Sequence, residues 1–224
     1  MTLTIARLDT VAAVARATAL FAEVWQTEQP PVAVNLVRAV DHAGGYAYGA
    51  YDGDAMVGAS VAFLGGGPDD VYLYSHITGV VAQRGGIGRA LKQHQREWAL
   101  ERGIERVLWT YDPLVRRNAA FNIAALGARP AAYLPDFYGP MDDGVNRGDE
   151  TDRLLVEWHL TRPPSGGEGE RTVAVPDDVE ALRRNDPDAA RAWRHRVRDE
   201  LGGAMADGWA VTGFDERGYV LSPR

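Results

Sequence analysis

Apolar residues Val11, Val14, Leu20, Phe21 and Val24 recur at helical spacing in "DTVAAVARATALFAEVWQ", behind Asp9 or Thr10 as a candidate cap, and predict a first helix after a short apolar start at Leu3 to Leu8. Pro30 and Pro31 interrupt the pattern, and "VAVNLVRAVDHAGG" predicts a second helix closed by Gly44 and Gly45. The period then changes. "YAYGAYDGDAMVGASVAFLGG" alternates aromatic and small apolar residues around Asp52-Gly53, a hairpin signal, and "DDVYLYSHITGVV" supplies a third strand, so an antiparallel meander is expected. A glycine-rich corner leads into a helix carrying Leu91, Trp98 and Leu100 and ending at Gly103. The segment "ERVLWTY" reads as a buried strand, "VRRNAAFNIAALGA" as a helix ending near Gly127, and "RLLVEWHL" as a strand after the excursion "RPAAYLPDFYGPMDDGVNRGDE".

The composition of "TRPPSGGEGE" predicts a linker over 161–170, separating a main domain, 1–160, from a small carboxy-terminal extension, 171–224, that packs back onto it. The extension offers a helix, "DAARAWRHRVRDELGGAMADG", and two strand candidates, "WAVTGF" and "GYVLS". That helix is a candidate homodimer element through Trp193 and Val197.

With 224 residues the chain can bury a substantial core, and no apolar run approaches the ~20 residues that span a bilayer. "MTLTIARLDT" lacks the basic and apolar segments of a secretory signal, and cysteine is absent, which together suit a cytoplasmic protein. A net charge of −7 argues against nucleic acid as a partner. Lys92 is the single lysine, and arginine carries nearly all positive charge. His42, His94, His159 and His195 show no metal-ligand spacing, so no metal site is expected. The tryptophans lie mostly on apolar faces and are assigned to packing.

The chemistry centres on "VVAQRGGIGRAL". Backbone N–H groups at a helix amino terminus are unpaired and carry part of the helix dipole, so an anion can satisfy several of them at once. Gly86 and Gly88 remove Cβ atoms from that approach, and Arg84 and Arg89 stand at the rim. The third position of a dinucleotide fingerprint is Leu91, and the Lys-Ser/Thr of a nucleotide P-loop is replaced by Arg89-Ala90. What fits is Q-x-x-G-x-G, Gln83 to Gly88, between a strand ending in Val80-Val81 and a helix. This resembles the coenzyme A pyrophosphate-binding motif of the GNAT superfamily of acyl-CoA-dependent N-acyltransferases, and the element order from about Leu3 to Leu160 resembles that family's. "LYSHITGVVAQRGGIGRALKQHQREWALERG" and "WTYDPLVRRNAAFNIAALGA" are similar to a subgroup of acetyltransferases, some of whose relatives are associated with N-acylation of amino acids.

The resemblance implies an α/β (α+β) fold: a mixed, mostly antiparallel sheet flanked by helices, with splayed central strands. It also implies acetyl-CoA or another acyl-CoA as co-substrate and a small-molecule amine as acceptor. The cofactor-binding candidates are Val80 and Val81 for the pantetheine arm, Gln83, Arg84, Gly85, Gly86, Ile87, Gly88 and Arg89 for the pyrophosphate, and Asn118, Phe121 and Asn122 on the later helix. Asn118 and Asn122 read equally well as a helix cap and a solvated residue; Arg116 and Arg117 read as ligands for phosphate or carboxylate, or as surface residues. Transfer needs an uncharged amine, and strand alternation places His76 and Thr78 on the face of Val80, with His76 as the candidate base and Ser75 a neighbour. Many relatives protonate the leaving thiolate with a tyrosine on the later helix, but the corresponding positions here are Ile123 or Ala125. Tyr138 is the substitute candidate, with Tyr133 the other tyrosine in reach. A non-catalytic acyl-CoA sensor is the alternative function.

Overall fold

The computed structural model describes residues 3–81, 86–146, 148–162 and 169–223. It divides into two compact units, Met1–Val107 and Leu108–Arg224.

In the first unit, β1 (Leu3–Arg7), β2 (Tyr46–Asp52), β3 (Ala55–Gly65) and β4 (Tyr72–Val80) follow one another in an antiparallel sheet. The β2–β3 turn uses Gly53 at a φ of +58°, a left-handed conformation that costs glycine little. Helix α1 (Val11–Trp25) starts at Thr10, whose hydroxyl accepts the Ala13 N–H at 3.1 Å. Its buried stripe of Val14, Ala17, Leu20 and Phe21 packs with Val37 of α2 (Val34–His42) and with Ala47, Ala59, Val61 and Ile77 of the sheet. Helix α3 (Ile87–Leu100) covers the opposite face, where Ile87 and Leu91 meet Ala50, Ile5, Val57 and Val80. This two-sided cover explains why β2, β3 and β4 are apolar with small residues.

Two irregularities decide which side chains face which helix. Pairing jumps from Ala50↔Gly58 to Tyr51↔Met56, and from Val61↔Ile77 to Ala62↔Ser75. Val57 and His76 are therefore extra, bulged residues, and each inverts the alternation beyond it.

The division between the units falls within β5 (Arg106–Tyr111). In the second unit the strand order is β5, β7 (Arg153–His159), β6 (Arg129–Leu134), with β6 and β7 antiparallel. The excursion after Gly127 thus contains a strand that its proline content concealed: Pro130 sits on an edge strand beside a register shift, where a missing N–H is tolerated. Helix α4 (Arg116–Ala119) widens into a π-helical segment, Ala120–Ala125. A second antiparallel sheet has the order β8 (Arg171–Val173), β10 (Gly218–Pro223), β9 (Trp209–Asp215). Helices α5 (Val179–Asn185), α6 (Pro187–Val197) and α7 (Gly203–Ala206) complete the unit; β8 and α5 carried too few periodic residues to be read from sequence.

The carboxy-terminal elements are locked within this unit by buried charge. Arg194, fully buried, donates through Nη1 to Asp112 Oδ1 at 2.8 Å and through Nη2 to Asp149 Oδ2 at 2.9 Å. Arg183 Nη2 donates to Asp112 Oδ2 at 2.5 Å and to Asp149 Oδ2 at 2.9 Å. Two cations thus meet two carboxylates. Val197, expected to face a partner, is instead fully buried, because the outward side of α6 belongs to residues such as Arg191 and His195.

Candidate active site

β4 ends at Val80, and α3 begins at Ile87 behind Gly86, whose φ of +71° makes it a left-handed cap with no described side chain hydrogen-bonded to the helix end. A Cβ built at Gly86 or at Gly88 meets nothing within 4 Å. Among the described residues, packing therefore demands neither glycine; Gly86 is favoured by its left-handed φ, and Gly88 by no described contact. A 14-residue helix whose glycine cap makes no side-chain hydrogen bond leaves its first-turn amides able to take an anion such as a diphosphate. Arg89 is exposed on that first turn, whereas Ile87 is buried against Leu91 and Ala50. Gln83, Arg84 and Gly85 lie outside the described residues. Val80 faces α3; Val81 is exposed, and its N–H already donates to the Val57 carbonyl at 3.1 Å.

His76 does not share the face of Val80 and Thr78. The bulge turns it to the α1 side, where its ring lies 5.8 Å from that of Phe63, itself 5.3 Å from Tyr74. Ser75 and Thr78, three residues apart, both face α3 for the same reason. His76 is exposed as a residue, but partial desolvation of its ring lowers its pKa from the ordinary value, which favours the neutral form that can accept a proton.

Beneath this strand sits a polar network that sequence reading missed. Lys92, buried on α3, donates from Nζ to Ser75 Oγ at 2.9 Å and to Gln95 Oε1 at 3.2 Å. Gln95 Nε2 donates to Ser60 Oγ at 3.4 Å, and the Ser60 and Thr78 hydroxyls share a hydrogen bond of 2.7 Å. Desolvation lowers the Lys92 pKa to about 7. Its only signal in the sequence was that one lysine stands among arginines.

In the second unit, Tyr138 is exposed on the loop after β6, with its hydroxyl 3.3 Å from Thr110 Oγ1 of β5 and the Arg153 guanidinium over its ring at 5.3 Å. Tyr133 is engaged elsewhere, donating to Asp152 Oδ2 at 2.7 Å. Asn118 and Phe121 are half-buried. Asn122 is buried, and its Oδ1 accepts the Trp109 indole N–H at 3.2 Å, so it is not a solvated residue. The widened turn is marked by the Leu126 N–H donating to the Phe121 carbonyl at 3.0 Å. Arg116 and Arg117 are used internally: Arg116 Nη2 donates to the Glu216 carbonyl at 2.5 Å, and Arg117 forms a two-pronged pair with Glu180 at 2.5 and 2.7 Å. Ile123 is buried and Ala125 exposed, so neither stands in for a tyrosine acid.

Among the described residues no cluster of histidine and carboxylate groups could hold a metal ion, and no helix is long and apolar enough to cross a membrane.

Residues 11–122 match the acetyltransferase (GNAT) family, half of the chain. No curated protein sequence matches. Among solved structures, the chain is similar to the ribosomal-protein-S18-alanine N-acetyltransferase of Escherichia coli, with 18% identity, a TM-score of 0.55, and 72% of this chain and 96% of that one covered. It is similar to aminoglycoside 6'-acetyltransferase type Ii at 17% identity and a TM-score of 0.57, over 73% of this chain and 100% of that one. A chain of the NatC complex bound to Gag peptide and CoA is similar at 17% identity and a TM-score of 0.56, over 72% and 100% respectively. At these identities the likeness is one of fold, and it agrees with the mostly antiparallel, helix-flanked sheet. From the residues matched and the strand–glycine–helix arrangement they form, the chain belongs to the acetyltransferase (GNAT) family.

Proposed function

We propose that this protein transfers an acetyl or other short acyl group from acyl-CoA to the amine of a small molecule. The observation that carries the reading is the glycine-capped amino terminus of α3, where no described atom stands against a Cβ at Gly86 or Gly88, in a chain of the acetyltransferase family. The first-turn amides of α3 hold the diphosphate of coenzyme A, with Arg89 adding charge from the rim. Val80 and Val81 flank the pantetheine arm.

The amine nitrogen attacks the thioester carbonyl carbon; the new C–N bond forms as the C–S bond breaks, and coenzyme A departs as thiolate. His76, neutral at pH 7, takes the proton the ammonium must lose, directly or through water. Tyr138 is the donor proposed for the thiolate; the second proton of the amine leaves the nitrogen through water as the amide forms and restores the tyrosine, giving free thiol and amide as products. The acidic balance of the chain, −7, favours neutral or cationic acceptors.

Thiol release from acetyl-CoA, measured across a panel of amines and amino acids, tests the reading. Turnover on at least one amine, dependent on His76, is expected. The side chains Ile123 and Ala125, in place of a tyrosine, favour a second reading as a non-catalytic acyl-CoA sensor. Tight acetyl-CoA binding with no thiol release on any amine selects that alternative.

A further inference from the structure

The Lys92 network has no place in the chemistry proposed so far, yet its geometry is specific. Four of its five side chains, Lys92, Gln95, Ser60 and Ser75, are buried. Buried polar groups are costly unless bonded, and an apolar core would pack here without that cost. What the network joins is informative: Ser75 and Thr78 lie on either side of the bulged His76, and Lys92 and Gln95 belong to α3. In a regular strand, residues three apart point to opposite faces. Fastening both Ser75 and Thr78 to the same helix requires one extra residue between them, and that residue is His76.

We propose that Lys92 is a positioning residue that holds the β4 bulge, and with it the orientation of His76, by tying Ser75 and, through Gln95 and Ser60, Thr78 to α3. Because α3 also presents the glycine-capped end, one helix sets both the anion site and the base. Releasing the tie lets β4 regain regular pairing, which a single-residue slip accomplishes, and carries the imidazole away from Phe63. The kinetic part of this inference rests on the acyl-transfer reading; the structural part does not.

The test uses the full chain with Lys92→Met, of similar length and without the amine, and Ser75→Ala, which removes the strand side of the same bond. For each, thiol release gives kcat, calorimetry gives the acetyl-CoA Kd, and NMR follows the His76 ring resonance, assigned by its loss in His76→Gln. Both variants are expected to lower kcat at least ten-fold with Kd within about three-fold of wild type. The double variant is expected to fall no further than Lys92→Met. The His76 resonance is expected to move in both, with its titration midpoint rising toward the ordinary imidazole value. Full kcat together with an unmoved His76 resonance in both variants overturns the proposal. If wild type proves inactive on every amine, the acyl-transfer reading fails, and the His76 resonance alone decides: movement supports the positioning role, and no movement overturns it.

Discussion

Asp112→Asn is the most informative single change in the second unit. The wild-type carboxylate accepts from Arg194 through both oxygens at 2.8 and 3.0 Å, from Arg183 at 2.5 Å, and from the Leu114 N–H at 3.0 Å. With Asp149 it balances two guanidinium groups whose side chains are 0% and 1% exposed. The amide cancels one negative charge and turns a donor toward a cation, leaving two buried cations facing one carboxylate. Removing one partner of a buried pair costs about 3–5 kcal/mol, a large fraction of the ~5–15 kcal/mol that holds a typical domain folded. Burial alone would raise the Asp112 pKa, but the Arg194 and Arg183 charges outweigh it and hold the carboxyl well below its usual range. A depressed folded-state value contributes stability above the unfolded value, ~4, and loses it as pH falls below that. Urea unfolding at pH 7 and at pH 3 should therefore show a large loss for Asp112→Asn at pH 7 and a smaller gap from wild type at pH 3. A loss under ~1 kcal/mol at pH 7, or a gap that does not narrow in acid, refutes the reasoning.

His76→Ala is expected to lower kcat by about 10²-fold with acetyl-CoA affinity nearly unchanged, since the imidazole is a base and not a cofactor contact; steady-state thiol release and calorimetry check this. The Lys92 amine titrates near pH 7 in the folded chain and near 10 when unfolded, so the unfolded state binds more protons between those values and stability rises with pH there. Relative to Lys92→Met, wild type should gain up to about 1.4 kcal/mol per pH unit between pH 7 and 9, read from paired denaturant melts; a flat difference contradicts the burial. Gly79→Ala should cost ~1–3 kcal/mol, because the added Cβ would lie 3.0 Å from Phe21 Cδ1 and Trp25 Cζ3; an unchanged melt shows that α1 yields there.

Much of the first unit was legible because its signals are local. The Thr10 cap, the Asp52-Gly53 turn and the period of α1 each act within a few residues, and the structure uses them as written. The strand-to-helix corner was also legible from its glycines, of which Gly86 takes a left-handed φ of +71° as the cap of α3. What escaped depends on distant partners. The His76 bulge is set by the register against β3, which no residue of β4 announces, so simple alternation put His76 on the wrong face. Lys92 reads as polar surface until Ser75 of β4 is placed over it, and Arg116 and Arg117 read as free donors until Glu216 and Glu180 arrive from the tail. Arg183 and Arg194 meet Asp112 from 71 and 82 residues away, a pairing that no periodicity reveals.

The central claim is that the glycine-capped amino terminus of α3 grips the diphosphate of an acyl-CoA. Calorimetric titration of acetyl-CoA into wild type and Gly88→Val tests it directly, because a Cβ at Gly88 meets no described protein atom within 4 Å and, unlike one at Gly86 with its φ of +71°, imposes no left-handed strain. The account predicts micromolar binding to wild type, weakened at least ten-fold in Gly88→Val. No binding to wild type at millimolar acetyl-CoA, or equal affinity in the two proteins, would contradict it.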